Sequence, residues 1–188
     1  MLFVGRLVEK KGVRFLIEAW PAVLSEYPGA QLVIAGDGPD RQSLLKACGR
    51  MGIEDTVQFL GAIPQSELPS LYRSSAVFVL PSVVAAGGDQ EGFGLVLVEA
   101  LGCACAVVTT DLPAMRDIVI EGKTGAVVPG GSSTELARAI VDLLNDPERR
   151  HRLGTRGRTH VLGRFSWSRV SARYRDLIDD LINQDTTG

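Results

Sequence analysis

Residues 76–111, AVFVLPSVVAAGGDQEGFGLVLVEALGCACAVVTTD, predict a strand, a loop, a helix and a second strand in that order. The apolar, β-branched run at 76–82 is stopped by a proline, as buried strands often are. Residues 92–103 are apolar on most faces of a helix, which indicates that the helix is buried. Residues 106–111 form another β-branched run. This succession predicts parallel pairing, because parallel strands need a long crossover connection between them.

The same alternation continues toward both ends of the chain. Strands are predicted over 2–5, 31–36, 57–61 and 124–129. Helices are predicted over 12–27, 66–75, 132–146 and 166–182, and Ser66 is the expected N-cap of the second of these. Two further helices are predicted, one after the turn GDGPD at 36–40 and one from Pro147 onward. Pro21 is expected to kink or displace the first helix. The fold class is therefore α/β, a parallel sheet with helices on both faces over residues 1–183. Residues 184–188 are expected to form a disordered tail.

The composition limits the classes of function. The chain has 188 residues, of which 45% are hydrophobic and 22% charged, as in one globular domain with a sizeable core. The net charge of −2 gives no general attraction to nucleic acid or to an anionic membrane, so any anion site must be local. No apolar run is long enough for a transmembrane segment, and the first residues do not resemble a secretory signal.

The cysteines and histidines give no metal-ligand pattern. Cys48, Cys103 and Cys105 are interpreted as small core residues in a reducing cytosol, and no CxxC pair is present. His151 and His160 both lie in the basic C-terminal third. The sequence therefore predicts a cytoplasmic protein without a metal centre.

Ligands of parallel sheets bind at the carboxyl ends of the strands, so the loops there hold the candidate site residues. The loop after the first strand contains Arg6 and Lys11, just before Gly12 and a helix. A guanidinium fork and a mobile ammonium group can converge on one anion. The alternative is that both are ordinary surface cations, and Lys10 is expected to be a solvated neighbour.

The loop before the buried helix supplies a second set of candidates. Gly92 and Gly94 let backbone amides approach a ligand, and the N-terminal end of the helix favours an anion, most simply a phosphate. Glu91 is then better placed to accept hydrogen bonds from hydroxyl groups, while Glu99 suits a vicinal diol such as that of a ribose. Two alternatives stay open: Glu91 as a helix-start acid, and Glu99 as half of a buried ion pair with a cation of the first loop.

Two other segments are set aside. The letters GKT at 122–124 lack the earlier glycine of a P-loop, since position 117 is an aspartate. The basic cluster at 148–160 predicts one exposed helical face, because no aromatic residues are interleaved through it as in single-strand nucleic-acid sites.

A resemblance to a known family rests on five segments, which are GRLVEKKG, LVIAGDGPDR, VQFLGAIPQSELPSLYRSSAVFVLPS, EGFGLVLVEALGCACAVV and IEGKTGAVVP. In order and spacing the chain resembles the C-terminal, donor-binding half of the retaining GT-B glycosyltransferases of group 1, also called family 4. The resemblance covers nearly the whole chain. Its most specific element is the pair Glu91 and Glu99 combined with Arg6 and Lys11.

The resemblance implies a Rossmann-like sheet that forms one half of a GT-B enzyme and binds a nucleoside-diphosphate sugar. The catalytic positions implied are Arg6 and Lys11, which would hold the diphosphate, and Glu91, which would contact hydroxyls of the donor sugar. The other donor-binding positions implied are the loop residue Gly92, the amides of Phe93, Gly94 and Leu95 for sugar and phosphate, Glu99 for the ribose and Ile63 for the base. The family further implies retention of configuration, no metal, no cofactor and no protein nucleophile.

The family also implies a partner half. A complete GT-B enzyme carries an N-terminal acceptor domain, which this sequence is expected to lack. We therefore expect the chain to bind nucleotide sugar but to transfer sugar poorly or not at all by itself. Its location would be cytoplasmic, or peripheral at the membrane through the missing half. Competing interpretations are a nucleotide-binding or interaction module without catalysis, and another GT-B enzyme such as a sugar-nucleotide epimerase.

Overall fold

The structure, a computed structural model, describes residues 1–185. The strands are β1 (Leu2–Val4), β2 (Leu32–Ala35), β3 (Val57–Gly61), β4 (Val77–Leu80), β5 (Ala106–Thr110) and β6 (Ala126–Val128). The helices are α1 (Val13–Glu26), α2 (Arg41–Met51), α3 (Leu68–Ser74), α4 (Leu95–Gly102), α5 (Pro113–Arg116), α6 (Ser133–Asn145), α7 (Pro147–Phe165) and α8 (Trp167–Asp185). Short 3₁₀ turns cover Glu9–Lys11 and Glu54–Thr56.

The strands form one parallel sheet in the order β3-β2-β1-β4-β5-β6. Helices cover it in two groups, because α1 packs against α2 and α6, whereas α4 packs against α3 and α7. Every residue of β4 is fully buried, as expected for a central strand covered on both faces. The predicted α/β, Rossmann-like class is confirmed.

The predicted helix over 12–27 is present, and the start of one other helix differs from the prediction. Helix α1 runs through Pro21 to Glu26 as one element. Its apolar face buries Trp20 and Val23 against the core, which offsets the backbone hydrogen bond that Pro21 lacks. The predicted N-cap Ser66 is wrong: α3 begins at Leu68 with Glu67 as N-cap, and its second residue is a proline that is already suited to a helix start.

A long helix is the last element of the described residues. Helix α8 continues to Asp185, beyond the predicted end at 182, so the first residues of the expected tail at 184–188 are helical. The rest of that tail, residues 186–188, lies outside the described residues. The four-residue helix α5 was not predicted, because one helical turn carries no readable periodicity.

The strand order reverses between β1 and β4, and the loops that follow these two strands meet there. Gly12 makes this meeting possible. It adopts a φ of +66°, and a Cβ atom at this position would lie 1.9 Å from the carbonyl oxygen of Pro81. Such a reversal is where open parallel sheets form their ligand crevices.

Candidate functional site

The crevice contains an ion pair between the two loops. Lys11 ends the 3₁₀ turn after β1, and its Nζ donates a hydrogen bond to Oε2 of Glu91 in the loop after β4. The side chains are only 14% and 13% exposed. The pair therefore joins residues 80 positions apart in a setting that is largely shielded from water.

The carboxylate of Glu91 also lies at the start of α4. Gly94 is the N-cap of this helix and adopts a φ of +81°, and Met115 approaches within 2.9 Å of the place where a Cβ atom would be. Backbone N–H groups of Phe93 and Gly94 interact with the carboxylate. One of the two alternatives from the sequence, an acid at the helix start, is therefore part of the observed geometry.

These contacts change the acidity of Glu91. Burial alone would raise its pKa, but the hydrogen bond and charge of Lys11, helped by the amides of Phe93 and Gly94, outweigh burial and hold the pKa below its ordinary value. Glu91 is accordingly a stable anion inside a cluster of donors. That cluster is made of the same groups that the sequence assigned to a phosphate.

The loop at 83–90 is attached to the 3₁₀ turn at three further points. The backbone N–H of Val83 donates to the carbonyl of Lys10 at 2.9 Å, and that of Ala86 donates to Oε1 of Glu9 at 3.1 Å. The Nζ of Lys10 lies 3.0 Å from Oδ1 of Asp89. Lys10 thus connects the two loops through an ion pair and a backbone hydrogen bond, and it is not the solvated neighbour that the sequence suggested.

Glu99 lies on α4 and has a different partner. The hydroxyl of Tyr72, on α3, donates a 2.9 Å hydrogen bond to Oε2 of Glu99. Tyr72 is 1% exposed, and burial together with the neighbouring carboxylate raises the pKa of its hydroxyl. The expected alternative of an ion pair with Arg6 or Lys11 is wrong for the described residues, in which Glu99 forms no salt bridge.

Arg6 and Ile63 lie together in a third place. Both line a shallow cavity of about 220 Å³, along with Gly36, Asp37 and the first residue of α3. The guanidinium of Arg6 is exposed and forms no ion pair within residues 1–185. The structure therefore puts Lys11 and Glu91 in direct contact. Among the described residues no ion pair joins Arg6 or Glu99 to that pair, and Ile63 lines the cavity beside Arg6.

The remaining candidates lie around the start of α4. Gly92 and Leu95 are exposed, and Phe93 is 45% exposed. The ring of Phe93 meets that of Phe165 edge to face, with 5.6 Å between their centroids. This contact joins residues 92–94, the glycine-rich loop before α4, to the last residue of α7. The sequence did not predict it.

The basic cluster at 148–160 and Cys105, which have no predicted role in the site, contribute to hydrogen bonding and packing. The basic cluster forms a largely exposed face of α7, as predicted, and Arg150 also donates to the carbonyls of Leu143 and Leu144 at 2.6 and 2.7 Å. Burial raises the pKa of the Cys105 thiol to about 12. Across the described ranges, no cluster of acidic, histidine and cysteine side chains has the makings of a metal site, and no helix is both long and apolar enough to cross a membrane.

Several contacts of the candidate residues were missed from the sequence. Tyr72, Glu9 and Asp89 each touch a candidate residue or its loop, yet none was singled out as a site residue. In the sequence, only the charged residues at 9–11 and the acidic residues at 89 and 91 pointed to contacts between the two loops. They do not indicate which residues pair with each other.

Comparison with known proteins gives the family. The model for "Glycosyl transferases group 1" matches residues 1–160. This chain belongs to the group 1 glycosyltransferases. The predicted family membership is confirmed.

Curated proteins similar to this chain include glycosyltransferases of several bacteria. The GDP-mannose-dependent alpha-(1-6)-phosphatidylinositol monomannoside mannosyltransferase of Mycolicibacterium smegmatis is 35% identical over 176 residues, which are 93% of this chain and 46% of that protein. The alpha-D-kanosaminyltransferase of Streptomyces kanamyceticus is 32% identical over 94% of this chain and 45% of its own length. The chain spans about half the length of the curated relatives that it matches.

Solved GT-B structures share the fold. Sucrose-phosphate synthase of Thermosynechococcus elongatus superposes with a TM-score of 0.85 at 29% identity over 97% of this chain and 45% of that one. Anabaena Alr3699/HepE in complex with UDP-glucose gives a TM-score of 0.84 at 25% identity over 95% of this chain and 48% of that one. The C-terminal domain of the group 1 protein LpcC from Francisella tularensis gives 0.77 at 27% identity over 88% of this chain and 86% of that one.

Proposed function

We propose that this chain is the donor-binding half of a retaining, metal-independent glycosyltransferase that uses a nucleoside-diphosphate sugar. The observation that carries the proposal is the cluster at the strand-order reversal, where Lys11 and the amides of Phe93 and Gly94, just before α4, surround a carboxylate. A site that holds one anion with an ammonium group and helix-start amides has the chemistry that a diphosphate requires.

In the proposed complex, each part of the donor meets a different part of the crevice. Lys11 and Arg6 bind the diphosphate, and the amides of the glycine-rich loop support it. Glu91 accepts hydrogen bonds from the sugar, and Glu99 accepts them from the ribose. The cavity beside Ile63 receives the base.

The proposed reaction needs charge stabilisation more than it needs a nucleophile. Lys11, Arg6 and the positive end of α4 stabilise the negative charge that develops on the departing nucleoside diphosphate. The acceptor hydroxyl attacks on the face from which the diphosphate leaves. Its proton passes to a diphosphate oxygen, so no protein side chain forms a covalent intermediate.

The proposal includes a second half that binds the acceptor. Helix α8 has an exposed apolar face formed by Trp167, Tyr174, Leu177 and Ile178, which are 86%, 66%, 56% and 53% exposed. Residues at this spacing lie on one side of a helix, and exposed patches of this kind mark contact surfaces. We place the acceptor domain against this face. That domain would also decide whether the enzyme stays in the cytoplasm or lies at a membrane surface.

A binding assay on the chain itself tests the proposal. Differential scanning fluorimetry with GDP-mannose, UDP-glucose and their diphosphates covers the donors that relatives and structural neighbours use. A ligand at 100 times its dissociation constant should add about 2.7 kcal/mol to the free energy of unfolding. Lys11→Ala should reduce this stabilisation to about 0.4 kcal/mol at the same ligand concentration. Glycosyl transfer by the chain alone would refute the half-enzyme role, and absence of any nucleotide-dependent shift would refute the donor site and favour a non-catalytic interaction module.

A further inference from the structure

Three donors in the crevice converge on a carboxylate of the protein itself. They are Nζ of Lys11 and the backbone N–H groups of Phe93 and Gly94, and all interact with Glu91. These are the groups that the proposed function assigns to the diphosphate. One set of donors cannot satisfy the carboxylate and a diphosphate in the same positions, because the two anions would repel each other at contact distance.

We infer that Glu91 competes with the diphosphate for Lys11, and that this competition makes the site favour a nucleotide sugar over the nucleoside diphosphate that remains after transfer. The inference rests on the proposed function and adds to it a role for Glu91 in selecting donor over product.

The selection follows from what Glu91 can do once it is displaced. A bound nucleotide sugar offers hydroxyl groups, which donate to the displaced carboxylate and compensate it for the loss of Lys11. A bare nucleoside diphosphate offers no such hydroxyls at that position. With the product bound, Glu91 must either remain without a partner or return to Lys11, and both outcomes weaken the hold on the product.

The location of Glu91 allows this exchange. It follows a loop that contains Gly87 and Gly88, and residues 86–90 are all exposed. A Cβ atom at either glycine would meet nothing within 4 Å, so the loop has space around it. Glu99, by contrast, is held within α4 by the buried Tyr72, and the same change of partner is not available to it.

Isothermal titration of this chain and its Glu91→Gln variant with GDP, GDP-mannose, UDP and UDP-glucose tests the inference. Glu91→Gln keeps the size of the side chain but removes the charge that competes for Lys11. We expect it to bind the diphosphate about fivefold more tightly than the wild type, a change of ~1 kcal/mol, and to bind the sugar nucleotide no more tightly. The preference for sugar nucleotide over diphosphate should therefore fall.

Asp111→Asn is the matched control. Asp111 follows β5 at the same edge of the sheet and pairs with Arg116 at 2.6 Å, so its loss changes the net charge equally without touching Lys11. Both affinities should stay at the wild-type values in this variant.

The outcomes separate the inference from the proposed function. If the wild type binds sugar nucleotides but Glu91→Gln weakens diphosphate and sugar nucleotide alike, the inference is wrong and the donor site stands. If Asp111→Asn tightens the diphosphate as much as Glu91→Gln does, the effect is one of net charge and the inference is also wrong. If the wild type binds none of the four compounds, the proposed function and the inference fall together.

Discussion

The acid before α4 and the acid within α4 are held in different ways. Glu91 is bound by an ammonium group and backbone amides on a glycine-containing loop, whereas Glu99 is bound by the hydroxyl of a buried tyrosine between two packed helices. A charge-paired carboxylate can change partners when another anion arrives. A carboxylate oriented by a neutral, buried hydroxyl keeps its direction. In the proposed complex, Glu91 is therefore free to change partners, whereas Glu99 has a fixed orientation.

The largest effect on affinity should come from removing the cation that pairs with Glu91. Lys11→Ala removes the cation proposed for the diphosphate and leaves Glu91 without its ion-pair partner. We expect affinity for sugar nucleotide to fall roughly 100-fold, as for the loss of a charge-assisted contact in a shielded site. Titration calorimetry measures this. Lys46→Ala, at an exposed position of α2, should leave the affinity unchanged, and an equal loss in that variant would contradict a specific role for Lys11.

Substitutions at Glu99 and Tyr72 should have smaller effects on affinity than Lys11→Ala. Glu99→Ala removes the proposed ribose acceptor, and we expect an affinity loss of roughly tenfold for nucleotide sugar and diphosphate alike. Tyr72→Phe keeps the carboxylate but removes the hydroxyl that orients it. It should cost only a few-fold in affinity and ~1 kcal/mol in the free energy of unfolding.

Glu99→Ala and Tyr72→Phe also have separate readouts. If Glu99→Ala weakens the sugar nucleotide but leaves the diphosphate untouched, Glu99 contacts the sugar and not the ribose. Denaturant unfolding of Tyr72→Phe, followed by circular dichroism, checks the stability change independently of any ligand.

The ion pair of Glu91 and Lys11 should also make the stability of the protein depend on pH in the acidic range. The folded-state pKa of Glu91 lies below its ordinary value of 4.5, so its contribution to stability is present above that value. The contribution is lost as the pH falls through the folded-state pKa, because the carboxylate then takes up a proton and leaves Lys11. Thermal unfolding of wild type and Glu91→Gln between pH 7 and about 3 should show a steeper decline for the wild type. Parallel curves would mean that the pair contributes no stability.

The smallest effect should come from the exposed tie between Lys10 and Asp89. Each single reversal, Lys10→Glu or Asp89→Lys, should make residues 84–90 more susceptible to limited proteolysis, and the double reversal should restore resistance. The coupling should be about 0.5 kcal/mol, as for other exposed pairs. A double variant that is cut as fast as either single variant would show that this ion pair does not hold the loop.

The sequence was sufficient for the sheet, whereas the roles that it assigned to the site residues stay predictions. The β-branched runs predicted all six strands, because a parallel sheet that is buried on both faces leaves a continuous apolar signal. Lys11 and Glu91 were identified because glycines and helix starts mark where loops meet a ligand. Their contact with each other was not identified, since pairing across 80 positions depends on strand order, which no local pattern records.

The other differences have local physical reasons. Ser66 looked like a helix cap because its residue type caps well, but the proline near the start of α3 fixed the boundary one residue later. The helix predicted over 12–27 is present as Val13–Glu26, with Pro21 inside it. Tyr72 carried no signal, because a buried tyrosine that orients a carboxylate has the same pattern as one that only fills space.

The apolar side of α8 has a consequence for handling the protein at the bench. A row of large side chains that is more than half exposed, starting with Trp167 at 86%, favours association between copies of the chain as its concentration rises. Light scattering of a dilution series should therefore show particle size growing with concentration, and Tyr174→Glu should suppress that growth. Colloidal behaviour of this kind would limit the concentrations at which crystals or spectra can be obtained.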